Sequence, residues 1–207
     1  MAPFRTALRI WSVLICLTVV SGCGRGVPPD AQIVVAGDSV MAWNRVSDAS
    51  VADGLREALD VAVGDVSLPS ARVTRVSTAR SALGLHIPSQ LDGVTAPWIV
   101  LNGGANDLRD ECGCTGCDAV LDEMLSEDGQ SGAIAALVAE TRAKGARVLW
   151  ADYYTSPRFA GTACTGPYDV LSARLARMAA GDPGVIVVDM GSVLPSDELS
   201  LFAGDRL

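Results

Sequence analysis

The chain has 207 residues, 49% of them hydrophobic, and ten prolines, which is material for one well-buried core and too little for two ordinary domains. Its formal net charge is −8, and Lys144 is its one lysine. An acidic surface without a basic, aromatic-interleaved strip excludes a phosphate-backbone partner, so no nucleic-acid role is expected.

Arg5 and Arg9 precede or interrupt an apolar run from Leu8 to Val20. A span of hydrocarbon needs roughly 20 apolar residues. The shorter run reads as an export signal over residues 1–22. Val20-Ser21-Gly22-Cys23 resembles a bacterial lipobox, which implies that Cys23 becomes an acylated N-terminus. More than one acyl chain would then hold the protein stably at the outer face of the bacterial membrane, in the cell envelope; the alternative is a secreted or periplasmic protein. Without Arg5 and Arg9 the chain has 14 basic residues against 24 acidic ones, a net charge near −10.

Residues 23–30 supply the cysteine and a Gly- and Pro-rich tether, GRGVPPD, and residues 31–207 form the domain. Ala31 to Ala36 (AQIVVA) is a β-branched apolar run ending at Gly37, which predicts a buried parallel strand and a sharp turn. Val51, Leu55, Ala58 and Leu59 recur at helical spacing within Val51 to Val61. Arg72 to Val76 is a second, weaker strand, and Ser81 to Leu85 opens a short helix. Pro97 to Leu101 (PWIVL) is a third strand, again followed by glycines, Gly103 and Gly104. A helix over Ile134 to Thr141 stops at Gly145, and the strand Ala146 to Ala151 follows at once. Tyr168 to Ala180 is helical, and Gly184 to Val188 is the last strand.

Strands separated by helical stretches indicate right-handed βαβ units, and hence a mostly parallel five-stranded sheet covered on both faces. Polar groups sit just past strand ends: Asp38 and Ser39 after the first, Asn106 and Asp107 after the third, Asp152 after the fourth. Ligands in open α/β sheets bind at those ends, so residues far apart in sequence can converge there.

Gly37-Asp38-Ser39-Val40 alone describes a strand-to-helix turn, with glycine relaxing the backbone and Asp or Ser capping the helix. Two further blocks change that reading. Leu101-Asn102-Gly103-Gly104-Ala105-Asn106-Asp107 places an amide side chain beyond a buried strand, and Phe202-Ala203-Gly204-Asp205-Arg206-Leu207 places a carboxylate after a turn. In this order the three blocks resemble the GDSL or SGNH family of serine esterases and lipases, over about 175 residues from Ile33 to Leu207. The resemblance implies a three-layer α/β/α, flavodoxin-like fold and carboxylic ester hydrolysis without a cofactor or metal. Ser39 would be the nucleophile, with its own N–H, a backbone N–H at Ala82 in Ser77-Thr78-Ala79-Arg80-Ser81-Ala82, and the Asn106 amide as oxyanion donors. Gly37, Asp38 and Gly104 would support them, Asp38 as a loop-organising cap. The family has glycine where Ala82 stands, and a backbone donor survives that change where the dihedrals permit it.

In the family an aspartate precedes by three positions the histidine that deprotonates the serine. Asp205 matches the aspartate, and the sequence stops at Leu207. A serine hydroxyl needs an adjacent base. His86, the one histidine, lies well before the third strand and reads as a surface or helix-end residue. Because Gly204 to Leu207 keeps the pattern up to the missing position, the expectation is a domain cut short rather than a degenerate relative. The 207-residue chain is then a poor esterase. The rival reading is a non-catalytic envelope protein that keeps the fold and binds a glycan or lipid.

Beyond Cys23, the exported portion has Cys112, Cys114, Cys117 and Cys164, a count that suggests two disulfides in an oxidising compartment. A Cys112–Cys114 bond is disfavoured by geometry. Two pairings stay open: Cys112 with Cys117 and Cys114 with Cys164, or Cys112 with Cys164 and Cys114 with Cys117. Trp43, Tyr153, Tyr154 and Phe159 either line an acyl or sugar pocket or pack.

Overall fold

A computed structural model describes residues 26–202. Cys23 and Asp205, with the export signal, lie outside the described residues.

Five parallel strands, β1 (Ile33–Ala36), β2 (Val63–Asp65), β3 (Trp98–Leu101), β4 (Arg147–Ala151) and β5 (Val185–Val188), form one sheet in the order β2-β1-β3-β4-β5. Residues alternate between its faces. Ile33 and Val35 join Val63, Val100 and Ala151 on one side, while Val34 and Ala36 join Ile99, Leu101, Val148 and Trp150 on the other. The first face is covered by α1 (Ser39–Ala42) and α2 (Val51–Leu59), through Met41 and Ala52. Two short helices, α3 (Thr78–Ala82) and α4 (Ile87–Gln90), follow β2. The second face is covered by α5 (Ala105–Cys112), α6 (Asp118–Met124), α7 (Ala133–Ala143) and α8 (Thr165–Ala180), which contribute Leu108, Met124, Leu137, Leu171 and Leu175. A last short helix, α9 (Met190–Val193), follows β5. This is the expected three-layer α/β arrangement.

Local chemistry sets the helix ends. Ser50 and Asp53 form a reciprocal capping box that starts α2. The chain leaves α7 through Lys144 and Gly145, whose φ of +87° suits glycine. Among the described residues, no helix is long and apolar enough to cross a membrane.

One expected strand is absent. Arg72 to Val76 does not join the sheet, and β2 lies earlier, at Val63–Asp65. Val73 and Thr74 give their N–H groups to the Asp107 carboxylate, at 3.1 and 2.9 Å, so those donors are spent on a side chain instead of a neighbouring strand. Arg72 makes only a single parallel bridge, with His86. Cys112 bonds to Cys117 and Cys114 to Cys164, the first of the two open pairings.

Candidate active site

The register pairs Ala36 with Leu101 and Leu101 with Trp150, so β1, β3 and β4 end side by side and their following residues meet. Gly37 leaves β1 with a φ of +144°, and a Cβ there would lie 2.1 Å from Asn102 Oδ1. Only glycine fits this approach. The Gly37 N–H donates to Gln90 Oε1 (2.8 Å), and the Gln90 amide donates to the carbonyls of Gly37 (3.1 Å) and Gly84 (2.9 Å). The turn before Ser39 is thereby tied to α4.

Asp38 is 1% exposed, and its carboxylate is fully engaged. Oδ1 accepts from the Val40 N–H (2.9 Å), capping α1, and from Asn102 Nδ2 (3.0 Å); Oδ2 accepts from the Tyr153 hydroxyl (2.5 Å). The Asp38 N–H returns to Asn102 Oδ1 at 3.0 Å. Ser39 is the first residue of α1. Its N–H has no intrahelical acceptor, because the first turn of any helix leaves its donors free. Among the described residues its hydroxyl makes no hydrogen bond.

Asn106 lies in the first turn of α5 and is buried; its Nδ2 donates to the Ala71 carbonyl at 2.9 Å. One hydrogen of that amide remains for another acceptor. Gly104, at φ +120°, lets α5 start close under α8: a Cβ there would lie 2.8 Å from Leu171 Cδ2. With no side chain on Gly104 to cap α5, the Ala105 N–H donates to the Tyr153 hydroxyl, at 3.2 Å. Tyr153 therefore touches both the turn that carries Ser39 and the helix that carries Asn106. Burial, together with the nearby Asp38 charge, pushes its hydroxyl pKa well above the ordinary value. Its ring stacks on Tyr168 at 5.4 Å.

Asp107 is fully buried and accepts from Val73 N–H, Thr74 N–H and Thr74 Oγ1 (2.5 Å), fixing the loop beside Asn106. Burial raises its pKa against these donors, which lower it. Ala82 ends α3 and is exposed. His86 Nδ1 pairs with Ser89 Oγ at 2.9 Å, and Ser89 Oγ with Ser81 Oγ at 2.7 Å. Desolvation lowers the His86 pKa, so near neutral pH its ring is uncharged and its Nδ1 is taken up locally.

The Cys114–Cys164 bond joins the loop after α5 to the residue before α8. A cavity of about 670 Å³ lies beside Tyr153, lined by Asp152, Thr155, Ser172, Asp189 and Leu194 among others. Asp152 accepts from Ser172 Oγ (2.8 Å) and the Met190 N–H (2.7 Å). Trp43 and Phe159 are exposed, whereas Tyr154 packs against Phe202 at 6.0 Å. Gln90 and Asn102 are residues that the sequence did not assign to this site, and Tyr153, expected to line a pocket or pack, braces Asp38 and Ala105 instead. Asn102 and Tyr153 carry a signal that could have found them, since each is a polar residue within two positions of the end of a buried strand.

The family described as GDSL-like lipase/acylhydrolase matches residues 35–206. The chain belongs to this GDSL-like lipase/acylhydrolase family. No curated protein matches the sequence. Similar solved structures include TesA, at 18% identity and a TM-score of 0.55, covering 84% of this chain and 87% of that one. A catalytic mutant of Axe2, an acetylxylan esterase from Geobacillus stearothermophilus, is 14% identical with a TM-score of 0.55, covering 89% and 88%. A mutant of the esterase AlinE4 is 12% identical with a TM-score of 0.55, covering 87% of each. At these identities the likeness establishes the fold, and the GDSL-like family match points generally to ester hydrolysis.

Proposed function

We propose that this GDSL-like protein hydrolyses a carboxylic ester through a covalent acyl-enzyme on Ser39, in the cell envelope, where acylated Cys23 anchors it. The observation that carries the reading is the Asp38 network: it caps α1 and fixes the turn while leaving the Ser39 hydroxyl and N–H uncommitted.

In the reaction Ser39 Oγ attacks the ester carbonyl carbon as its proton passes to a base. The tetrahedral oxyanion is met by the Ser39 N–H and the free hydrogen of the Asn106 amide, donors of the kind that stabilise charge developing in the transition state. The C–O bond to the alcohol breaks, the base returns its proton to the leaving oxygen, and water then releases the acid by the reverse route. We assign the base to the block around Asp205, because among the described residues no hydrogen bond joins the His86 ring to Ser39 and its Nδ1 pairs with Ser89. Lipid esters, acetylated glycans and small esters all present the carbonyl that this chemistry needs.

A fluorophosphonate probe tests the assignment on the protein exported by its own cell. Peptide mapping should find the adduct on Ser39, and Ser39→Ala should lose it. An adduct elsewhere, or none, would leave the non-catalytic binding role in its place.

A further inference from the structure

Between α1 and α2 the chain makes a short 3-10 turn, Arg45–Ser47, whose polarity is inverted. The Arg45 guanidinium turns inward and donates to Asp65 Oδ2 (2.9 and 2.6 Å), the Ser67 carbonyl (2.9 Å) and Ser67 Oγ (2.6 Å). Its apolar neighbours turn outward: Trp43 is 57% exposed and Val46 fully so, at 101%. Asn44 and Asp48 both take left-handed backbones, and Ser47, Asp48 and Ala49 donate back to Asn44 or Arg45 carbonyls at 2.9 to 3.2 Å. The turn is therefore built and held to present those two side chains; it is not a frayed segment. Isolated exposed apolar residues are ordinary, whereas a braced pair on one turn marks a contact surface.

A second observation identifies the partner. Val27 seats against β2, where a Cβ on Gly64 would lie 3.2 Å from Val27 Cγ2, and the next residue, Asp65, is the one that holds Arg45. The chain's entry into the domain and the Arg45 brace of the apolar turn thus reach consecutive residues of one edge strand, from opposite faces of the sheet. Ahead of Gly26 the sequence carries Cys23 and the apolar run Leu8 to Val20. The three residues from Gly26 back to Cys23 reach at most about 10 Å. A membrane-held N-terminus accordingly keeps this edge of the domain close to the bilayer.

We propose that the Trp43–Ser47 turn is a membrane contact, with Trp43 and Val46 entering the headgroup region of the bilayer that holds the N-terminus. It rests on the membrane attachment proposed above, and goes beyond it by fixing which face of the domain meets lipid. Tryptophan suits that depth, having an apolar body and one N–H for the wet side. The exported portion, near −10, favours a zwitterionic leaflet over an anionic one.

The test uses the full chain bound to phosphatidylcholine vesicles whose acyl chains are brominated near the headgroup. Tryptophan emission of the wild type minus that of Trp43→Phe isolates Trp43. The expected result is quenching of that emission by about half or more, with protection from aqueous iodide, and at least about a threefold loss of quenching in Val46→Asp, whose charge opposes insertion. Trp43 emission that bromine leaves untouched and iodide reaches, in vesicle-bound protein, overturns the contact while leaving the attachment standing. A chain that does not bind the vesicles overturns both.

Discussion

Asp38 and Asn102 hold each other in a reciprocal pair: the Asp38 N–H donates to Asn102 Oδ1 and Asn102 Nδ2 donates to Asp38 Oδ1, both at 3.0 Å. The pair joins β1 to β3 at the point where each strand ends, and both residues are buried. Replacing Asn102 by Ala leaves a buried N–H and a buried carboxylate oxygen each one partner short, at a cost of about 2–4 kcal/mol. Urea denaturation should show that loss, and fluorophosphonate labelling of Ser39 should slow with it. An unchanged midpoint would mean that water replaces the amide without penalty.

Tyr153→Phe tests the link between the two halves of the site. The ring stays stacked on Tyr168, while the Asp38 carboxylate and the Ala105 N–H lose the hydroxyl between them. Stability should fall by about 1–3 kcal/mol, the range for hydrogen bonds that involve a charged group. The effect should shrink in an Asp38→Asn background, because the two residues share one interaction. Additive losses in the double variant would separate them.

The two disulfides should differ in weight. Cys114–Cys164 spans 50 residues and Cys112–Cys117 only five, so chain-entropy reasoning assigns about 4 and about 2 kcal/mol respectively. Cys114→Ser with Cys164→Ser should therefore lower the denaturation midpoint more than Cys112→Ser with Cys117→Ser. The reverse order would show that the short bridge organises the end of α5 by more than loop closure.

His86 gives the pH dependence a sign. Its folded pKa lies below the ordinary value of 6.5, so the unfolded chain binds the proton more readily. Its contribution to stability is complete above that pH and is lost as pH falls through the folded pKa. His86→Asn should flatten the fall in stability as pH drops below about 6.5. Asp107 acts with the opposite sign, since burial raises its folded pKa and its burial therefore weighs against stability above the carboxylate range. A slope unchanged by His86→Asn would assign the acid sensitivity elsewhere.

Four of the five strands were legible because β1, β3, β4 and β5 are short, mostly apolar runs, as buried parallel strands require. β2 was not, because Val63-Gly64-Asp65 has no such run, whereas Arg72 to Val76 carries two valines and a threonine, strand-forming residues whose Val73 and Thr74 donors go to Asp107. Ser39 and Asn106 stood out as polar residues just past strand ends. The residues that brace them did not: Gln90 reaches Gly37 across 53 positions, and Tyr153 reaches Asp38 across 115. No local pattern encodes such contacts; they exist only once the strands are in register.

The base has its own test. The 207-residue chain contains one imidazole, and that one is engaged with Ser89. Imidazole added to the buffer should raise p-nitrophenyl acetate hydrolysis by these 207 residues in wild type but not in Ser39→Ala. Ordinary turnover without added imidazole would show that another group serves Ser39.

The most direct measurement is p-nitrophenyl acetate hydrolysis by the protein exported from its own cell, wild type against Ser39→Ala, with denaturation midpoints measured alongside. Loss of a nucleophile in a serine hydrolase site lowers turnover by about a thousandfold or more. That loss is predicted here at an unchanged midpoint, since the Ser39 hydroxyl bonds to nothing among the described residues. Equal rates in the two proteins, or no hydrolysis by either, would contradict the assignment of Ser39 as the nucleophile.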